Sequence, residues 1–239
     1  TIDSMDYRSV YTAASEEDKK LMQVAEGASI PATEVKTKSN LVKLNKRGRM
    51  LIASYEAIRF QKLDLFSVTL RQIGSYIQQM HLKDAIDVLV NGDGNSNAAA
   101  KLTIGTTPMS GTKGTLTYGQ LVEFWSQFDP YTMNTMLVPN GTLVKMLKLT
   151  ELQNAAAGLN FQGTGSISTP LGAEVLRSSC VTEDTIIGLD RRYALEMVQA
   201  GEVSVEYDKL IDRQLERAAI TSISGFGKIM PESAKVLVI

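Results

Sequence analysis

Residues 87–97 read DVLVNGDGNSN, and two readings of that stretch lead to two different molecules. Asp93, Asn95 and Asn97 recur at every second position, as in the opening half of a calcium loop. Such a loop needs Gly at its sixth position and a bidentate Glu at its twelfth. Counted from Asp93, those positions hold Ala98 and Ile104, so the sharp turn and the strongest ligand are both absent. The other reading is a helix stop. Asn and Gly tolerate the left-handed backbone that ends a helix, and Asn91-Gly92 closes an apolar run. The stretch is then the end of one element and the start of a turn.

The residues upstream support the stop. Phe66, Leu70, Ile73, Ile77 and Met80 step by four, three, four and three, and the stripe drifts to Ile86 and Leu89. That spacing predicts one face of an amphipathic helix over 64–91, with Asp64 as its N-cap. At ~1.5 Å per residue the helix is a rod of roughly 39 Å, longer than most globular helices and suited to be a spine for other elements. Ahead of it, residues 1–25 are polar and acidic and read as an arm with a short helix near 15–25. Residues 36–49 hold Lys36, Lys38, Lys43, Lys46, Arg47 and Arg49 with no acid among them. Alternation on both sides of Asn45-Lys46-Arg47-Gly48 predicts a long hairpin with Gly48 near its tip. A hairpin this polar needs a surface to lie on.

Downstream, 91–116 is rich in Gly, Ser and Thr. Helices are expected at TYGQLVEFWSQF (117–128) and GTLVKMLKL (141–149), with a buried strand at NTMLVP (134–139) between them. Residues 151–170 read as an exposed loop, and EVLRSS (174–179) and DTIIGLD (184–190) as strands. Val203, Val205 and Tyr207 alternate with Glu202, Ser204, Glu206 and Asp208, which predicts a half-exposed strand. RAAITSISGFGKI (217–229) continues as a long strand, and Val236-Leu237-Val238 closes the chain.

Composition bounds the function. The 239 residues are 44% hydrophobic and 21% charged, enough to bury a core in one large domain or two modest ones. A formal charge of −1 does not fit a general nucleic-acid binder. Cys180 is the single cysteine, so no intrachain disulfide forms, which fits a reducing compartment. No apolar run approaches the ~20 residues needed to span a bilayer, so no membrane is expected as a partner. No secretory leader opens the chain at Thr1. Catalytic parts run short. His81 is the single histidine and lies beside Met80 and Leu82 on the spine, so a Ser/His/Asp or Cys/His site must use it or not exist. GTTPMSGTK (105–113) imitates a phosphate loop but has five residues between its glycines and Thr112 ahead of Lys113. Zinc would need His81, Cys180 and carboxylates with no close-spaced pair. No catalytic residue, no metal site and no cofactor is expected.

The order of elements, from acidic arm to polar hairpin, spine ending in NGDG, α/β region and returning long strand, resembles the major capsid proteins of tailed bacteriophages, the Hong Kong 97 fold. Local stretches carry the likeness too. They are VAEGASIP (24–31), DVLVNGDG (87–94), TPLGAEVLRSS (169–179), DTIIGLDRRYALEMV (184–198) and AITSISGFGKIMPESAKVLVI (219–239). The resemblance implies an α+β fold with an arm at 1–25 and an extended loop at 26–62. The peripheral domain takes 63–116 and 200–239 with the spine, and the axial domain takes 117–199. It implies self-assembly into hexamers and pentamers of an icosahedral shell around double-stranded DNA. Scaffold, portal and decoration proteins are further partners, and the capsid is assembled in the host bacterial cytoplasm. Some members cross-link a loop lysine to a neighbour's asparagine, but the loop lysines here do not single one out. The sequence from Thr1 shows no counterpart of the long helical scaffolding segment of some members, and the expectation is that it was either cleaved ahead of Thr1 or never present.

Two other readings stay open. One is an encapsulin-like shell of the same fold enclosing cargo enzymes. The other is a nucleic-acid-binding protein using the basic 36–49 segment, which lacks interleaved aromatics. For the capsid reading, Lys36, Lys38, Lys43, Lys46, Arg47 and Arg49 face Glu202, Glu206 and Asp208 of an adjacent subunit as candidate contacts. The cationic hairpin is expected to dock there by charge complementarity.

Overall fold

The computed structural model describes residues 2, 7–8, 10–12, 35–37, 40–60, 65–153 and 171–239. Its elements run β1 (Val10–Thr12), β2 (Val35–Thr37), β3 (Asn45–Ser54), α1 (Tyr55–Phe60) and α2 (Leu65–Asn91). They continue with β4 (Ala100–Thr103), α3 (Tyr118–Ser126), β5 (Thr135–Val138), α4 (Asn140–Leu147) and α5 (Thr150–Gln153). The chain finishes with β6 (Glu174–Arg177), β7 (Thr185–Leu189), β8 (Leu195–Gln199), β9 (Ser204–Leu210), β10 (Leu215–Lys228) and β11 (Ala234–Val238). The spine, both shorter helices, the buried strand and the long return strand all fall where the sequence pattern put them.

Two sheets are built around α2. The first is five-stranded and mixed, in the order β4-β11-β7-β5-β6. All four residues of β5 are buried, as a continuous apolar strand covered on both faces should be. Phe124 and Phe128 of the α3 region meet edge to face at 5.3 Å, and Met133, Met136, Met146, Ile186 and Leu237 complete the larger core. The second sheet is antiparallel and centred on β10. Strand β3 pairs with Leu215–Ser224 along one edge of β10. Along the other edge, β9 and then β8 follow each other, pairing with Leu215–Thr221 and with Ser224–Lys228. β8 and β9 are thus one interrupted strand that folds back on β10 as a long hairpin, with its tip at 211–214.

The spine joins the two sheets unequally. Ile86 and Leu89 enter a wide core with Leu137, Ile187, Leu189 and Val236. Among the described residues Ile73 and Ile77, with Leu70, cluster with Ile220 and Leu51 of the β10 sheet. Met80, placed on the buried stripe by the spacing, is instead 37% exposed. A further anchor lies in the turn after β7. Fully buried Asp190 accepts from Arg192 Nη2 at 2.9 Å, Asn134 Nδ2 at 2.8 Å and the Thr132 N–H at 3.3 Å. The Arg192 guanidinium, helped by these N–H donors, holds its carboxyl well below the usual range against the opposing effect of burial.

Several expectations need correction. Residues 45–48 are not a hairpin tip: β3 passes straight through them, and Gly48 faces Thr221. A Cβ on Gly48 would lie 2.7 Å from the Ile220 carbonyl oxygen, so the glycine permits close approach of two strands rather than a turn. Val203, Val205 and Tyr207 are not half-buried. Every residue from 201 to 209 is exposed. β4 lies inside the Gly/Ser/Thr-rich stretch, where its parallel pairing with β11 gave no periodic signal. The arm helix near 15–25, the Asp64 cap, Lys38 and residues 154–170 lie outside the described residues. Among the described residues no helix is long and apolar enough to cross a membrane.

Candidate functional site

The NGDG stretch is a joint, and its chemistry explains why these residues stand there. Helix α2 ends at Asn91, and Gly92 takes φ +87°, which a Cβ would strain. The Gly92 N–H donates to the Val88 carbonyl at 2.9 Å. The Asn97 side chain turns back to accept the Asp93 N–H at 3.0 Å, while Asp93 accepts from the Asn95 N–H at 3.2 Å. The other Asp93 oxygen accepts the Lys228 N–H at 3.0 Å, from the last residue of β10. Lys228 is fully buried, and its Nζ donates to the Leu89 carbonyl at 3.1 Å. One lysine thus caps the C-terminus of the spine, where cations are favoured, and ties it to β10. The alternating Asp and Asn residues serve this turn. Among the described residues no group of three or more His, Cys, Asp or Glu is placed to hold a metal ion.

The sequence-predicted contact residues spread over the β10 sheet and the segments beside it. Lys36 lies in β2, which pairs with β1. Lys43 is exposed ahead of β3, and Lys46 and Arg49 are exposed on it. Arg47 is committed within the chain: its Nε and Nη2 bond Asp84 of the spine at 3.0 and 2.6 Å. Across the sheet, Glu202 and Glu206 are exposed, and Asp208 is bonded by the Arg217 guanidinium of the adjacent strand. That guanidinium holds the Asp208 carboxyl below its usual range. Lys209 pairs in the same way with Glu216 at 2.6 Å. The basic residues on β3 and the acidic residues on β9 lie on opposite edges of β10.

Several residues of this surface escaped the sequence reading. Met50 and Ile52 stand exposed on the sheet face turned away from α2, at 51% and 54%. On the other face, Arg47, Arg49, Tyr76 and Met80 line a cleft of about 320 Å³ floored by Ile73 and Ile77. His81 sits at the seam, its Nε2 3.4 Å from Ser222 Oγ. Burial there pushes the imidazole below its usual range, against the pull of Asp84. Strand alternation marked the apolar positions, but their exposure depends on what covers each face.

A subunit with a long spine and an exposed charged sheet suits a structural role. Comparison with known proteins decides the family. The model of the phage capsid protein family matches residues 37–226. The chain belongs to that family. The capsid subunit superposes on a chain of Mycobacterium phage Che8 with a TM-score of 0.71 at 13% identity, covering 98% of this chain and 84% of that one. It matches the capsid structure of cyanophage P-SCSP1u equally well, at 0.71 and 14% identity over 100% and 84% of the two chains. A virus-like particle from Pyrococcus furiosus shares the fold at 0.60 and 12% identity, over 99% and 87%. A search of curated protein sequences gave no match. The α+β capsid fold and the structural role are therefore established. The subunit is a major capsid protein, a virion component whose work is to self-associate into a shell.

Proposed function

We propose that the capsid subunit forms hexamers and pentamers that close an icosahedral shell around double-stranded DNA in the host bacterial cytoplasm, with no catalytic step of its own. The supporting observation is the family match over 37–226, joined to a sheet whose charged and apolar groups remain exposed in the single chain. Scaffold, portal and decoration proteins complete the particle in this reading. The four-part division also stands as a proposal, with one refinement. β3 pairs with β10 and packs near the spine, so the extended loop proper ends ahead of Asn45. The axial unit, 117–199, shares its sheet with β4 and β11.

Exposed ion pairs are each worth only ~0–1 kcal/mol, so docking between Lys43, Lys46, Arg49 and the acids of a neighbour acts through repetition. The test is expression of the full chain followed by sedimentation and negative-stain microscopy. Closed hollow particles with nuclease-protected DNA of uniform length are the expected result in an infected cell. A protein that stays monomeric at high concentration, with and without scaffolding factors, overturns the shell. Particles holding a folded protein cargo instead of DNA overturn the contents.

A further inference from the structure

Among the described residues the β10 sheet has two open edges, and they are complementary. Among the described residues β3 bonds only β10 on one side, and β9 bonds only β10 on the other. Among those residues both therefore present a row of unpaired backbone N–H and C=O groups. Proteins usually shorten or cover such edges. Here β3 is ten residues long and β9 seven. The β3 edge carries Lys46 and Arg49, which make no ion pair among the described residues, and β9 carries Glu206, likewise unpaired, with Glu202 just ahead of it. Lysines alone would fit a solubilising role. The β9 edge also exposes Val205 and Tyr207, at 45% and 69%, which a solubilising edge would not.

We infer that β9 of one capsid subunit adds to the β3 edge of the next, so that the sheet continues from copy to copy. This rests on the shell-forming function and specifies its contact. Both strands run antiparallel to β10, so copies related by a rotation place β9 parallel to the neighbour's β3. Their side chains fall on matching faces. Arg49 and Val205 both stand opposite Ile220, and Tyr207 stands opposite Ala218, all on the spine side. Lys46 and Glu206 stand opposite Ile223 and Ala219, on the outer side. Setting Arg49 beside Tyr207 stacks a guanidinium on a ring. The same register brings Ile52 beside Leu210 and lets Lys46 reach Glu206 across Gly48, which has no side chain to block it. The contact is heterologous, so it generates a ring when the rotation closes. A second copy is the occupant because the charges of the two edges are opposite, and because one chain holds them on opposite sides of β10.

Lys46→Glu and Glu206→Lys test this in the full chain, since both side chains are exposed and neither makes an ion pair among the described residues. Each variant alone should raise the critical concentration for assembly about tenfold at low salt. The double variant should assemble as wild type does, and an equal mixture of the two single variants should assemble better than either alone, since they can alternate around a hexamer but not around a pentamer. Thermal unfolding of the unassembled subunit should not move. Carbodiimide coupling of wild-type particles mixed from light and heavy isotope-labelled subunits needs no variant. It should join Lys46 to Glu206 between chains. Wild-type assembly by either single variant, a mixture no better than its parts, or particles without the Lys46–Glu206 link overturns the inference while leaving the shell intact. A wild-type protein that forms no shell overturns the function on which it rests.

Discussion

The narrow seam between spine and β10 sheet should give way before the main core does. Ile220→Ala is the sharpest probe. Ile220 is 5% exposed and contributes the one buried β10 side chain in a cluster with Ile73, Ile77, Leu51 and Leu70. Truncating a buried Ile to Ala costs about 2–5 kcal/mol, the upper part of that range applying where neighbours cannot collapse into the void. Here the cleft beside Ile73 and Ile77 is open, so water and Tyr76 can fill part of the space, and we take about 2–3 kcal/mol. The wide core around Ile86, Leu89 and Ile187 has no contact with the altered site. Hydrogen exchange of the unassembled subunit should therefore quicken about 30- to 150-fold in 45–54 and 215–222, by 1.4 kcal/mol per tenfold. Residues 135–138 and 185–189 should stay close to wild type. An equal rise in both regions would show a single cooperative core and refute the reasoning.

Gly48→Val should destabilise the subunit by about 1–3 kcal/mol, read by urea unfolding, because its Cβ would strike the Ile220 carbonyl and the Thr221 methyl. A double-mutant cycle of Arg47→Ala and Asp84→Ala should return a coupling of about 1 kcal/mol, since the pair is two-pronged but only partly buried. Asp190 has its folded pKa depressed below the unfolded value, so its stabilisation is complete above the ordinary carboxylate range and is lost as pH falls through and below it. Asp190→Asn should cost about 1–3 kcal/mol near neutral pH, because it weakens the hydrogen bonds to a buried acceptor while the Arg192 it releases is largely exposed, and it should flatten the acid limb of a stability–pH curve.

Long periodic elements were legible in the sequence because their signal is local. The Ile73–Ile77 spacing gave the spine, the NTMLVP run gave β5, and Asn91-Gly92 gave the stop. The turn at NGDG was legible as punctuation, but not the buried Lys228 that holds it. That lysine is 135 positions from Asp93, and no spacing rule reaches so far. β3 was misread because a glycine flanked by polar residues imitates a turn, whereas this one answers to the backbone of β10 across the sheet. Charge composition found the basic and acidic segments. It did not show that Arg47 and Asp208 are satisfied within the chain while Lys46, Arg49 and Glu206 make no ion pair among the described residues. The alternation at 203–207 was real, but periodicity reports which side chains share a face and not what lies over it.

The unequal seating of the spine has a mechanical meaning. Its C-terminal half is held by a wide core and by a lysine that ties the last turn to β10, whereas its N-terminal half rests on a few isoleucines and leucines. A force on the hairpin tip at 211–214 acts through the length of β10, so the described contacts favour rotation of the sheet about the tied end. A shell of hexamers and pentamers, as proposed above, seats copies of one subunit at places of unequal curvature. This subunit can follow that curvature by tilting its sheet on the spine, leaving the five-stranded core unstrained.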